Sequence, residues 1–112
     1  MILAVETSCD DTAAAVVGAR GEVLSSVVAS QGLLHARYGG VVPEVAARRH
    51  LEATGPTVAD ALERAGASLD DVELVAATRG PGLIGALLVG FSAAKALAGA
   101  RHMIRASSRL SW

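Results

Sequence analysis

The chain has 112 residues, 52% of them hydrophobic but only 3% aromatic, and a formal net charge of -1. A chain of this length fits one small domain with a buried core, and that core must be built from Ala, Val and Leu rather than from rings. The single cysteine, Cys9, excludes an internal disulfide, a secreted disulfide scaffold and a cysteine-built zinc site, so a cytoplasmic location is the expectation.

The opening apolar run, Met1 to Val5, breaks at Glu6 with no basic leader before it, which argues against a signal peptide. V-E-T-S-C-D-D-T then occupies Val5 to Thr12, and Thr12 opens a second apolar run, Ala13 to Val17. This pattern predicts two strands meeting at a polar corner. The free amides of such a corner, with the hydroxyls of Thr7, Ser8 and Thr12, can hold an anion, while Asp10 or Asp11 can orient a metal, a water or a proton donor. Strand alternation would send Asp10 and Asp11 to opposite faces, one to the site and one to solvent. Acidic, Ser-rich corners are more often ordinary turns, and that reading stands beside the functional one.

G-A-R-G at Gly18 to Gly21 predicts a tight turn, and Glu22 to Ser30 a third strand that completes an antiparallel meander. Gln31 to Val42 reads as irregular, with Gly32, Gly39 and Gly40 marking positive φ or close approach. From Pro43 the period becomes helical: Ala47, Leu51, Val58, Leu62 and Ala65 share a face, with Pro43 at the start. Gly55-Pro56 predicts a kink or a break into two helices, and Gly66 a stop. Leu74 to Thr78 is apolar without alternation, the pattern of a central parallel strand. Gly80, Pro81 and Gly82 turn the chain into a helix over Leu83 to Ala98 that is apolar nearly all round. The uncharged stretch Gly80 to Ala94 is short of the roughly 20 residues that span a bilayer, so it reads as a buried helix. After it, Arg101 to Trp112 offers no strand-like run, and the fold looks incomplete at its C-terminus.

Charge is divided unevenly. Residues 1 to 73 hold all eleven acids and five arginines; residues 74 to 112 hold Arg79, Lys95, Arg101, Arg105 and Arg109 and no acid. That end can attract phosphate, or Arg101, Arg105 and Arg109 can form one solvated helix face. Gly80 to Gly85 literally matches G-x-G-x-x-G, yet no acid follows Glu73 to hold a ribose, which weakens a dinucleotide reading. The same glycines can aim a helix N-terminus at a phosphate, or simply allow helix to pack on sheet. His35, His50 and His102 are not spaced as a ligand pair, and no metal site is expected within this chain.

Two phosphate-capable corners in a three-strand meander followed by helix, strand and helix resemble the N-terminal half of the actin-like, ribonuclease-H-like (ASKHA) α/β fold. Three long motifs sharpen the resemblance: V-E-T-S-C-D-D-T at Val5 to Thr12, H-A-R-Y-G-G-V-V-P-E-V-A-A-R-R-H at His35 to His50, and T-R-G-P-G-L-I-G-A-L-L-V-G at Thr78 to Gly90. In order and spacing they resemble the N-terminal part of the TsaD family, the tRNA threonylcarbamoyladenosine synthases once labelled O-sialoglycoprotein endopeptidases. The likeness covers residues 1–100 and leaves 101–112 as an unrelated tail. It implies transfer of a threonylcarbamoyl group from its adenylate to the adenosine beside the anticodon of a tRNA. It implies an adenine nucleotide and a divalent metal, iron or zinc, whose H-x-x-x-H motif this chain lacks. It also implies Asp10 and Asp11 as candidate catalytic carboxylates, and substrate or phosphate contacts at Thr7, Ser8, Cys9, Thr12, Gly80 and Gly82. A TsaB-like paralogous subunit would dock on the helix from Pro43 to Ala65, through Pro43, Glu44, Ala47, Arg48 and Leu51. Because the family pattern stops near Ala100, the chain is expected to be a truncated or frame-shifted product, inactive alone, with an unpaired sheet edge prone to self-association; the reading competes with a non-catalytic, partner-binding half-domain.

Overall fold

The computed structural model of the chain describes residues 1–100 and 104–109. Strands β1 (Ile2–Glu6), β2 (Thr12–Val17) and β3 (Val23–Ala29) form the expected antiparallel meander. After it come a short helix α1 (Gly32–Ala36), the long helix α2 (Pro43–Arg64), strand β4 (Leu74–Gly80), helix α3 (Ile84–Ala100) and strand β5 (Ile104–Arg109). The five strands lie in the order β3-β2-β1-β4-β5, with β4 parallel to both β1 and β5. Parallel pairing of β1 with β4 brings the C-terminal ends of both strands to the same edge of the sheet, where their following turns must meet.

Helices α2 and α3 cover one face of the sheet. The core beneath them is Leu3, Val5, Ala14, Val16, Val58, Ala61, Val72, Val75, Ala77, Ala94 and Ala98. Fully burying a side chain such as Leu3 or Val75 contributes about 1.5–3 kcal/mol, and the many alanines let helix backbones sit close to the strands. The contact is tight enough for Ser25 Oγ on β3 to donate to the Ala61 carbonyl of α2 at 2.7 Å.

Three expectations need correction. The segment beginning at Arg101 was expected to hold no strand, yet Ile104–Arg109 pairs with β4 from Leu74 onward. The strand is dictated by the open edge of β4 and the crossover through α3 rather than by local apolar pattern. With Arg105 and Arg109 in a strand, the arginine helix face does not form; Arg101 itself lies outside the described residues. Second, of the kink or break expected at Gly55-Pro56, the break does not occur: one helix runs from Pro43 to Arg64 with Pro56 inside it. Proline at 56 removes the donor for the Glu52 carbonyl, but Glu52 is exposed to water, and buried Thr54, Thr57, Val58 and Ala61 hold both halves against the core. Third, the stretch expected to be irregular contains α1, closed by the His35 amide donating to the Gln31 carbonyl at 3.1 Å.

Gly66 ends the long helix as expected. It takes φ 66°, its amide reaches the Glu63 carbonyl, and the Ala67 amide reaches that of Leu62, the paired bonds of a Schellman turn. Gly39 has positive φ, whereas Gly32 and Gly40 have no positive φ and no backbone pressing on them.

Candidate functional site

Residues 7–11 leave β1 and enter β2 as a bend, so the strand alternation invoked for Asp10 and Asp11 does not operate there; both side chains are half-buried at the corner. The turn after β4 lies directly against it. The Leu83 amide donates to the Ser8 carbonyl at 2.7 Å, and a Cβ built on Gly82 would fall 2.5 Å from that same oxygen. Only glycine allows this approach. Gly80, which ends β4 and precedes a cis bond to Pro81, has open space where its side chain would be. The two corners singled out as phosphate-capable thus form one wall, with the first turn of α3 opening beside Ser8. The first amides of a helix have no intrahelical acceptor, so this wall carries donors for an anion.

Within the corner the hydroxyls divide into two sets. Thr7 is buried, and its Oγ1 donates to the Ala86 carbonyl at 2.7 Å while accepting from the Gly90 amide at 3.0 Å. These are the acceptor and donor of one i, i+4 helical step, so Thr7 is stitched into the backbone of α3. A Cβ at Gly90 would lie 2.5 Å from Thr7 Oγ1, which explains the glycine. Thr12 is 1% exposed, with Oγ1 2.7 Å from His50 Nδ1. On its other side His50 Nε2 donates to the Cys9 carbonyl at 2.8 Å. A carbonyl can only accept, so Nε2 carries the proton and Nδ1 receives the Thr12 hydroxyl. Thr7 and Thr12 therefore pin the corner to α3 and α2, and the corner residues not used in this way are the half-buried Ser8, Asp10 and Asp11 and the exposed Cys9.

Glu6 accepts the Ser8 amide at 2.7 Å and shapes the bend. Cys9 is exposed, and its thiol is pushed above its ordinary value, first by desolvation and then by the neighbouring Asp10 charge. With carboxylates at 6, 10 and 11 and no basic residue nearer in sequence than Arg20, the corner itself supplies no positive side chain to an anion.

His50 and His35 are the residues that sequence reasoning missed. They were weighed only as metal ligands, although both bound the second long motif. His50 is fully buried as the strut between α2 and the corner. His35 Nε2 donates to Gln31 Oε1 at 2.6 Å, and Nδ1 accepts the Val42 amide at 3.2 Å, so it fixes the loop leading into α2. On α2, Pro43, Glu44, Arg48 and Leu51 are exposed, Glu44 pairing with Arg48 at 2.7 Å, while Ala47 is half-buried against Gly85 of α3. Further along, Leu51, Val58, Leu62, Leu88 and Leu97 line an apolar groove of about 760 Å³ between α2 and α3.

The shape is shared with solved structures: "YeaZ from Pseudomonas aeruginosa" superposes with a TM-score of 0.71 and 26% identity over 96% of this chain and 43% of its own. A second Pseudomonas aeruginosa structure, described as similar to peptidase YEAZ, gives the same TM-score and identity. Sheet order, crossover helix and paired corners define an α/β lobe of the actin-like, ribonuclease-H-like (ASKHA) type. Sequence then narrows the class. The profile of the family "TsaD: tRNA N6-adenosine threonylcarbamoyltransferase" matches residues 22–103. Relatives of that name are 64% identical over 92% of this chain in Desulforapulum autotrophicum and 61% identical over 90% in Pelobacter propionicus. The chain belongs to the TsaD family. It spans 31% and 30% of the length of those two curated relatives.

Proposed function

We propose that this chain is the phosphate-gripping lobe of a tRNA N6-adenosine threonylcarbamoyltransferase, in which the Ser8–Asp11 corner and the first turn of α3 hold the adenylate end of the acyl donor. The observation that carries this reading is the joining of the two corners by the Leu83 amide and Ser8 carbonyl at 2.7 Å. In the transfer, the amino nitrogen of the adenosine attacks the threonylcarbamoyl carbonyl carbon and AMP departs with the bonding electron pair. The attacking nitrogen must lose a proton. Asp10 or Asp11, half-buried at the mouth of the corner, accepts it or orients the amine. The amides at the start of α3 stabilise negative charge on the donor's phosphate and developing oxyanion.

The divalent metal and adenine nucleotide implied for the full-length family fit unequally. The wall of amides suits a nucleotide phosphate. Among the described residues no three His, Cys, Asp or Glu side chains gather as a metal set, and both ring nitrogens of His35 and of His50 are already engaged. The metal would be held by groups other than these, so the family-like part of the chain, proposed as residues 1–100, is inactive alone. The unrelated tail, expected from residue 101, is proposed to begin beyond residue 103, where the family profile ends. A cytoplasmic location accords with tRNA as substrate; among the described residues no helix is long and apolar enough to cross a membrane.

A second reading, a partner-binding half-domain, is favoured by the open groove between α2 and α3, where Leu51 is 69% and Leu88 56% exposed. A TsaB-like subunit docking on α2 through Pro43, Glu44, Ala47, Arg48 and Leu51 would cover it, and the likeness to YeaZ supports a partner of related shape. Titrating AMP into the chain while following backbone amide resonances tests the first reading. Saturable shifts at Ser8 to Asp11 together with Leu83 to Gly85 are expected; shifts confined to the groove between α2 and α3, or none that saturate, overturn it.

A further inference from the structure

The end of β4 and the first two turns of α3 enclose a second apolar pocket, of about 320 Å³. Ile84, Leu87, Leu88 and Phe91 form its α3 side, a stripe at i, i+3, i+4 and i+7, and Thr78 and Arg79 of β4 complete it. Phe91 packs on the core and fixes the floor, whereas Ile84 is 78% and Leu88 56% exposed. Arg79 is exposed, and among the described residues no carboxylate pairs with it.

Strand β5 leads to this pocket. It runs parallel to β4, and Arg109 is paired with Gly80, the residue after Arg79. The chain therefore leaves β5 one strand spacing, about 4.8 Å, from the end of β4 that lines the pocket. Leu110, Ser111 and Trp112 follow; they lie outside the described residues. Three extended residues span up to about 10 Å, enough to carry an indole side chain to the α3 stripe.

We propose that Leu110 to Trp112 dock in this pocket of their own chain, with the Trp112 indole against Ile84 and Phe91 and beside the Arg79 guanidinium. Three features select this occupant. A segment tethered at the pocket is present at an effective concentration in the millimolar range, which an untethered molecule seldom matches. The chemistry fits, because Leu110 and Trp112 are apolar and a guanidinium prefers the face of an indole over other rings. The size fits as well: a cavity at the small end of the range for ligand sites suits one ring system, not the helix of a partner protein. Residues beyond the end of the family profile at 103 thus cover apolar surface at the start of α3. The docking does not depend on an anion being held at the neighbouring corner.

Trp112 is the only tryptophan, so its fluorescence reports the contact directly. In the full chain its emission should be blue-shifted from that of free tryptophan amide and resist acrylamide quenching, equally at all protein concentrations. Nuclear Overhauser contacts should join the indole to the Ile84 methyl groups. Ile84→Lys, at an exposed position, should return emission and quenching to the free values with an unchanged circular dichroism spectrum. Arg79→Gln should lower the ratio of docked to free tail about two- to fivefold, the size of one exposed cation–π contact. Leu51→Lys, in the larger groove between α2 and α3, should change neither signal. An indole exposed in the wild-type chain, or one without contacts to Ile84, would overturn the proposal. So would burial that grows with protein concentration, which would put the tail on a second copy, and burial lost in Leu51→Lys but kept in Ile84→Lys, which would put it in the larger groove.

Discussion

Replacing Thr12 with valine tests the strut that holds the corner to α2. Valine fills the same volume, so the change removes the hydroxyl and little else. In the wild-type chain that hydroxyl donates to His50 Nδ1 at 2.7 Å inside a region where Thr12 is 1% and His50 0% exposed. Leaving a buried acceptor without its donor costs about 1–3 kcal/mol. For a domain of this size each kcal/mol moves the thermal midpoint by about 4–8 °C, so a loss near 2 kcal/mol lowers it by roughly 10 °C. His50→Ala should cost more, about 3–5 kcal/mol, because it also frees the Cys9 carbonyl and leaves a ring-sized cavity. Thermal denaturation followed by circular dichroism gives both values, and the double variant closes a cycle. The cycle should show a coupling of about 1 kcal/mol or more between the two positions, since they share the bond that each variant removes. A Thr12→Val midpoint within about 1 °C of wild type, or strictly additive losses, would refute the strut.

Gly90→Ala should destabilise the fold although alanine favours helix by about 1 kcal/mol, because its Cβ would meet Thr7 Oγ1 at 2.5 Å; thermal melts compare it with Gly99→Ala, which has open space and should be neutral or stabilising by up to about 1 kcal/mol. Gly82→Ala should force Ser8 away from the α3 turn, read as a lowered midpoint and amide shifts at residues 8 and 83, while Gly80→Ala, unobstructed, moves neither resonance as far. Cys9 should be alkylated by iodoacetamide at pH 7 more slowly than an unperturbed thiol. Its raised value leaves less thiolate at that pH, and Asp10→Asn, by removing one of the causes that raise it, should speed the reaction without restoring the full rate. An Asp10→Asn rate equal to or below wild type would contradict that cause.

What the sequence revealed and what it hid divide along the range of the interactions involved. The meander, the long helix from Pro43 and the buried strand at Leu74 announce themselves by local period and by turn glycines such as Gly21 and Gly66. The division of the corner's hydroxyls could not be read in this way. Thr7 and Thr12 have the composition of anion ligands, yet partners 79 and 38 residues away, Ala86 and His50, take their bonds. Strand β5 was invisible for the same reason, since the edge of β4 dictates it. Helix α2 survives Pro56 because buried residues on both sides outweigh the lost bond, a tertiary effect that overrides a local rule. Gly82 was conspicuous in sequence and Gly90 was not, and only the close approaches to Ser8 and Thr7 distinguish them from Gly80, where nothing presses.

Amide hydrogen exchange at Leu83 tests most directly whether the two corners form a single wall. Leu83 precedes the first residue of α3, and its amide bonds to the Ser8 carbonyl across the sheet edge, so no local structure protects it. Protection at Leu83 comparable to that of the Val75 amide in β4, lost in Gly82→Ala, is the predicted result. Exchange at Leu83 as fast as at an exposed loop amide would mean that the corners stand apart, and the proposed phosphate site would have no wall to rest on.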